Sequence, residues 1–146
     1  MTQSIRTVDE GIRLTWRLPN GRFHREDGPA IEWNNGDKEW WLDGFLHRED
    51  GPAIERPNGY ESWHLNGKLH REDGLPAIIY PDGTKEWYLN ETLHREDGPA
   101  VEYSDGIKYW SLNGVRYDDL SQITPELELK YPEFCKSFTI YQVMTQ

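Results

Sequence analysis

A single cysteine, Cys135, in 146 residues leaves no internal disulfide to form, so a reducing, cytoplasmic compartment is the expected home. No apolar run is long enough to span a bilayer, and Met1-Thr2-Gln3-Ser4-Ile5-Arg6 lacks the apolar core of a secretion signal. Basic side chains are short as well: 16 Lys and Arg against 26 Asp and Glu give a formal charge of −10. That balance argues against tracking a nucleic-acid backbone or an anionic membrane surface, both of which call for Lys and Arg. Aliphatic residues are too few for a thick core, with mean hydropathy at −0.88. Yet 7 Trp and 8 Tyr far exceed what a disordered chain carries. Polar residues with regularly placed aromatics predict a thin, extended β structure.

The regularity is a repeat. His-Arg-Glu-Asp-Gly occurs at 24–28, 47–51, 70–74 and 94–98, and Trp40, Trp63, Trp87 and Trp110 keep the same beat. The last interval is one residue longer because Leu75 is inserted before Pro76. Trp16 opens the series, and a fifth unit begins at Trp110 but carries Tyr117 and Asp118-Asp119 where His-Arg-Glu would stand. Each unit has two turn signals. One follows the Trp (Asp43-Gly44, Asn66-Gly67, Asn113-Gly114, with Asn90-Glu91 as the exception), and one follows the next run (Asn35-Gly36, Asn58-Gly59, Asp82-Gly83, Asp105-Gly106). These pairs accept the positive φ of tight hairpins. The prediction is all-β: an extended antiparallel meander of about nine strands from 23-residue hairpin repeats. One domain spans 1–146, with an N-terminal cap at 1–15, four and a half repeats at 16–117 and a C-terminal cap at 118–146.

Alternation along the strands predicts one packed face of Trp, Leu and Ile rows, with Ala30, Ala53, Ala77 and Ala100 interleaved. Trp41, His64, Tyr88 and Ser111 then fall on the opposite face, offered to solvent or a partner. Pro29, Pro52, Pro76 and Pro99 make His-Arg-Glu-Asp-Gly a bend, with His donating to a neighbouring carbonyl and Asp accepting backbone N–H groups. Unit three is expected to be distorted by Leu75. In the tail, Thr124-Pro125-Glu126 reads as the start of a short helix with Leu127, Leu129 and Phe134 on its apolar side. Residues 138–143 alternate like an edge strand.

Trp63-His64-Leu65-Asn66-Gly67-Lys68-Leu69-His70 and Tyr80-Pro81-Asp82-Gly83 resemble the MORN (membrane occupation and recognition nexus) repeats. That family has a 23-residue period, a Trp before an Asn-Gly turn, a His at the bend and an Asp-Gly turn. The resemblance covers about Trp16 to Tyr117 and implies a β-hairpin array. The family's His-Gly-x-Gly is replaced here by His-Arg-Glu-Asp-Gly-Pro-Ala, similar to a variant of viral and bacterial repeat proteins. The lipid binding proposed for some members is therefore not carried over.

Four copies of a His, Arg, Glu and Asp cluster invite a catalytic or metal reading, but spacing opposes both. Equivalent residues are two strands, about 10 Å, apart, whereas zinc ligands sit about 2 Å from their ion. His-Arg-x-Asp is accompanied by no other kinase element, and Cys135 lies far in sequence from any His. The expectation is no enzyme, no metal and no cofactor. The functional reading is a protein-interaction module for a partner with a basic surface, one version being a viral or phage-type inhibitor of a nucleic-acid-handling or defence protein. Its candidate binding residues are Glu26, Asp27, Glu49, Asp50, Glu72, Asp73, Glu96 and Asp97 on an acidic edge, with Trp41, His64 and Tyr88 on the sheet face. Two alternatives are a nucleotide-like small-molecule sponge at Arg56, Trp33 and Tyr80, and a structural protein that self-associates through edge strands.

Overall fold

The hairpin turns form where Asn, Asp or Gly takes the left-handed region, and in the main-sheet turns at Asn35-Gly36, Asn58-Gly59, Asp82-Gly83 and Asp105-Gly106 the Gly alone does so. In the computed structural model, which describes residues 4–9 and 11–145, Asp43, Asn66, Asn90 and Asn113 all sit at φ 51°. Gly follows each of them except Asn90, where Glu91 takes φ 69° in its place. Glu91 offsets that strain with its carboxylate, which accepts the Leu69 N–H at 2.6 Å.

The turns stack into one eleven-stranded antiparallel sheet, running from Ile5–Asp9 at one edge to Val115–Tyr117 at the other. Three two-stranded hairpins stand off it: Trp41–Leu42 with Phe45–Leu46, His64–Leu65 with Lys68–Leu69, and Tyr88–Leu89 with Thr92–Leu93. The meander is as expected, but a middle unit supplies four short strands rather than two. The chain changes ladder across one residue, the Trp. The Trp40 N–H donates to the Ala53 carbonyl in the main sheet, while the Trp40 carbonyl accepts from His47 beyond the hairpin. Trp63 and Trp87 repeat this with Ala77 and His70, and with Ala100 and His94. Within the segment expected to cap the N-terminal end, Ile5–Asp9 and Arg13–Arg17 form the hairpin that opens the sheet.

Register corrects the assignment of faces. Ile31, Glu39, Ile54, Ser62, Ile78, Glu86, Val101 and Tyr109 lie opposite one another from strand to strand and so share one side. Each Trp pairs instead with the Ala row, one residue out of phase, on the other side of the sheet. Ala30, Ala53, Ala77 and Ala100 are completely buried there. Trp87 and Trp110 are buried, whereas Trp16, Trp40 and Trp63 keep partial exposure in a single-layer sheet.

The tail is helical throughout its second half. Helix α1 (Pro125–Lys130) starts as the sequence indicates, with the Thr124 hydroxyl accepting the Leu127 N–H at 3.2 Å. Leu127 packs on the cap cluster, but Leu129 is 87% exposed and Phe134 belongs to the next helix. The predicted edge strand at 138–143 is part of helix α2 (Pro132–Met144). Phe134, Phe138 and Tyr141 recur at helical spacing and cover the last repeat: Phe138 and Tyr141 meet Trp110 at 5.4 and 4.5 Å, and Phe134 meets Tyr117 at 5.1 Å. An apolar partner surface overrode the alternation read as a strand.

Candidate functional site

Each His-Arg-Glu-Asp-Gly bend is built from two devices. The first joins neighbouring units. His24, His47, His70 and His94 accept, at Nδ1, the backbone N–H of Asp43, Asn66, Asn90 and Asn113 at 3.0–3.2 Å. These donors are the left-handed turn residues of the following hairpin. The His side chain therefore accepts a backbone N–H, where the sequence suggested that it donates to a carbonyl. Nε2 then carries the proton in the neutral ring, facing Glu26, Glu49, Glu72 and Glu96 at 3.3–3.7 Å.

The second device holds the bend onto the sheet. Arg25, Arg48, Arg71 and Arg95 lay their guanidinium groups over Trp16, Trp40, Trp63 and Trp87, with 3.7–4.0 Å from Cζ to the ring centroid. In units one, two and four, two nitrogens of the fork are engaged. Nε donates to Asp27, Asp50 and Asp97 at 2.6–2.9 Å, and Nη1 donates to Glu32, Glu55 and Glu102 at 2.6–3.1 Å. Nη1 also donates to the carbonyls of Pro29, Pro52 and Pro99. Hydrogen bonds from Arg25 and Arg48 hold the Asp27 and Asp50 carboxyls below their ordinary range. The main partner of each Asp is thus its own Arg rather than a backbone N–H.

Unit three breaks the pattern where Leu75 is inserted. Asp73 and Gly74 turn to φ 62° and 67°, and Ile79 occupies the register position of the Glu. Arg71 keeps the Pro76 carbonyl at 3.0 Å and its seat over Trp63, with Glu61 as the charge nearby. Burial lowers its pKa from the ordinary arginine value. The Gly74 carbonyl accepts from the Trp87 indole at 2.8 Å instead.

Successive bends enclose a row of open grooves. Cavities of about 810, 700 and 450 Å³ lie between the first and second, second and third, and third and fourth bends, lined in turn by Trp40, Trp63 and Trp87. Neighbouring cavities share the intervening bend as a wall. The rims are carboxylates: the side chains of Glu26, Asp27, Glu49, Asp50, Glu72, Glu96 and Asp97 are more than half exposed, and Asp73 is exposed too. Units one, two and four each hold three carboxylates for one guanidinium. The eight acidic candidates are thereby gathered along one line.

The sheet-face candidates divide. Trp41 is half-buried, its indole donating to Glu39 at 2.9 Å and its ring 5.7 Å from Phe23. Tyr88 is half-buried, with its hydroxyl pushed up to about 12 by burial and the Glu86 charge. His64 is buried rather than offered to a partner, and Ser111 is buried with its hydroxyl donating to the Leu93 carbonyl. All four slots share one contact, in which the carbonyls of Trp41, His64, Tyr88 and Ser111 accept the backbone N–H of Arg25, Arg48, Arg71 and Arg95 and so hold the preceding bend against them. Burial holds the His64 imidazole below the usual His range. The sponge trio does not assemble as proposed: Arg56 lies over Tyr60, Arg13 over Trp33, and Tyr80 packs edge-on to Tyr60.

Sequence reasoning missed the Arg-on-Trp stack, whose signal was the fixed eight-residue step from Trp40, Trp63 and Trp87 to Arg48, Arg71 and Arg95. Among the described residues no group of three His, Cys, Asp or Glu is placed to hold a metal ion. Nor is any described helix long and apolar enough to cross a membrane. Comparison with family models, curated proteins and solved structures finds no match to this chain.

Proposed function

We propose that the chain is a non-enzymatic protein-interaction module whose bends dock a partner with a basic surface. The observation that carries this reading is the row of grooves between bends, with Trp on their walls and exposed carboxylates on every rim. His and Arg in each bend are already engaged in holding units together, so the chemistry left for a partner is that of the carboxylates. A MORN-like array suits the role, because repeat units present an extended surface. An inhibitor of viral or phage type, covering a basic nucleic-acid-handling or defence protein, is the specific form proposed.

Affinity capture from a source lysate followed by mass spectrometry identifies the partner. Replacement of Glu26, Glu49, Glu72 and Glu96 by Gln is then expected to slow association and flatten its salt dependence. Melting should stay near wild type, since all four Glu side chains are more than half exposed. Full binding and an unchanged salt response in a variant that melts much earlier would overturn the reading and assign the carboxylates to structure.

A further inference from the structure

We infer that the partner brings its charge on an extended segment with Lys or Arg at every third residue, each side chain entering one groove. The inference rests on the docking reading above and adds the geometry of the occupant. Each bend corresponds to two strands of the main sheet, and neighbouring strands lie about 4.8 Å apart, so grooves recur about every 9.6 Å. A polyproline-II segment rises about 3.1 Å per residue with three residues per turn, so every third side chain points the same way after about 9.3 Å. A β-strand presents one face every two residues, at about 6.6 Å, and falls out of step after one groove. A helix repeats a face every seven residues at about 10.5 Å and drifts by about 3 Å over three intervals.

Past the fourth bend lies a cavity of about 370 Å³ under α2, where Lys108 and Lys136 balance Asp97 and Glu133, so the acidic row ends there. Trp110 is 2% exposed, and its indole N–H has no acceptor. The equivalent N–H of Trp87 donates to a backbone carbonyl, that of Gly74. The Trp110 N–H is shielded from solvent within the cap, so it is not offered to an occupant of the groove.

Three peptides of equal length and charge test this, each with three Lys at intervals of two, three or seven residues and the last built to be helical. Their binding to the full chain is measured by fluorescence anisotropy, with spermine as competitor. The three-residue spacing is expected to bind about tenfold tighter than the others, because its second and third contacts are already in place. Equal affinity for all spacings overturns the inference but leaves the docking reading standing, as charge without register. Spermine binding as tightly as the best peptide overturns it too, as does tightest binding by the helical peptide. If none of the peptides binds, the inference falls, and the Glu→Gln variants still decide the docking reading with the native partner.

Discussion

The repeats contain their own control for the worth of an ion pair. Arg95 stacks on Trp87 at 4.0 Å, donates to the Pro99 carbonyl at 3.2 Å, and pairs with Asp97 at 2.6 Å and Glu102 at 3.0 Å. Arg71 has an equivalent stack at 3.7 Å and the Pro76 carbonyl at 3.0 Å, but neither carboxylate hydrogen bond. Arg71→Ala should cost about 1 kcal/mol for the cation–π contact and about 1 kcal/mol for the carbonyl bond. Arg95→Ala should cost those plus two ion pairs, discounted to about 0.5 kcal/mol each because Asp97 and Glu102 remain solvated. The gap of about 1 kcal/mol corresponds to about 4 °C in Tm for a chain of this length. Thermal melts at low salt should therefore place Arg95→Ala below Arg71→Ala. At 1 M salt, where screening acts over about 3 Å, most of the gap should close while both variants stay below wild type. Equal losses at low salt, or a stabilised Arg71→Ala, would refute the reasoning, because the stack would then not be the shared term.

Two further outcomes are expected. His70→Asn keeps an acceptor near the place of Nδ1 and should retain most of the stability lost in His70→Ala, about 1–3 kcal/mol for the stranded Asn90 N–H in urea unfolding; equal losses in the two variants would dissolve the inter-unit lock. Burial depresses the folded-state pKa of His64, so the unfolded chain binds its proton first and stability is lost as pH falls below the unfolded value of about 6.5. The advantage of wild type over His64→Gln should accordingly shrink between pH 7 and pH 5, and a constant gap would contradict it. Asp27 and Asp50, depressed by their Arg partners, act in a separate window, contributing above about 3.8 and failing below it.

The sequence by itself determined the beat of this protein and the positions of its turns. Asn, Asp and Gly at fixed places leave the backbone little choice, and Asn66 and Asn113 adopt the left-handed turn that local chemistry dictates. It also determined the start of α1, a local matter of Thr124 and Pro125, and the row of acidic bends, since a repeat places like residues in line. Only the tertiary structure decided which side of the sheet each row occupies. Alternation predicts faces within one ladder, and the chain changes ladder at Trp40, Trp63 and Trp87, so the Trp row sits against Ala and away from Ile. Likewise, no local rule says that His24 accepts from a turn nineteen residues on, or that Asp73 turns away from Arg71 beside the inserted Leu75. Residues 138–143 show the same limit. They alternate like a strand, but the exposed end of the last repeat offers Trp110 to Phe138 and Tyr141, and burying those rings together requires a helix.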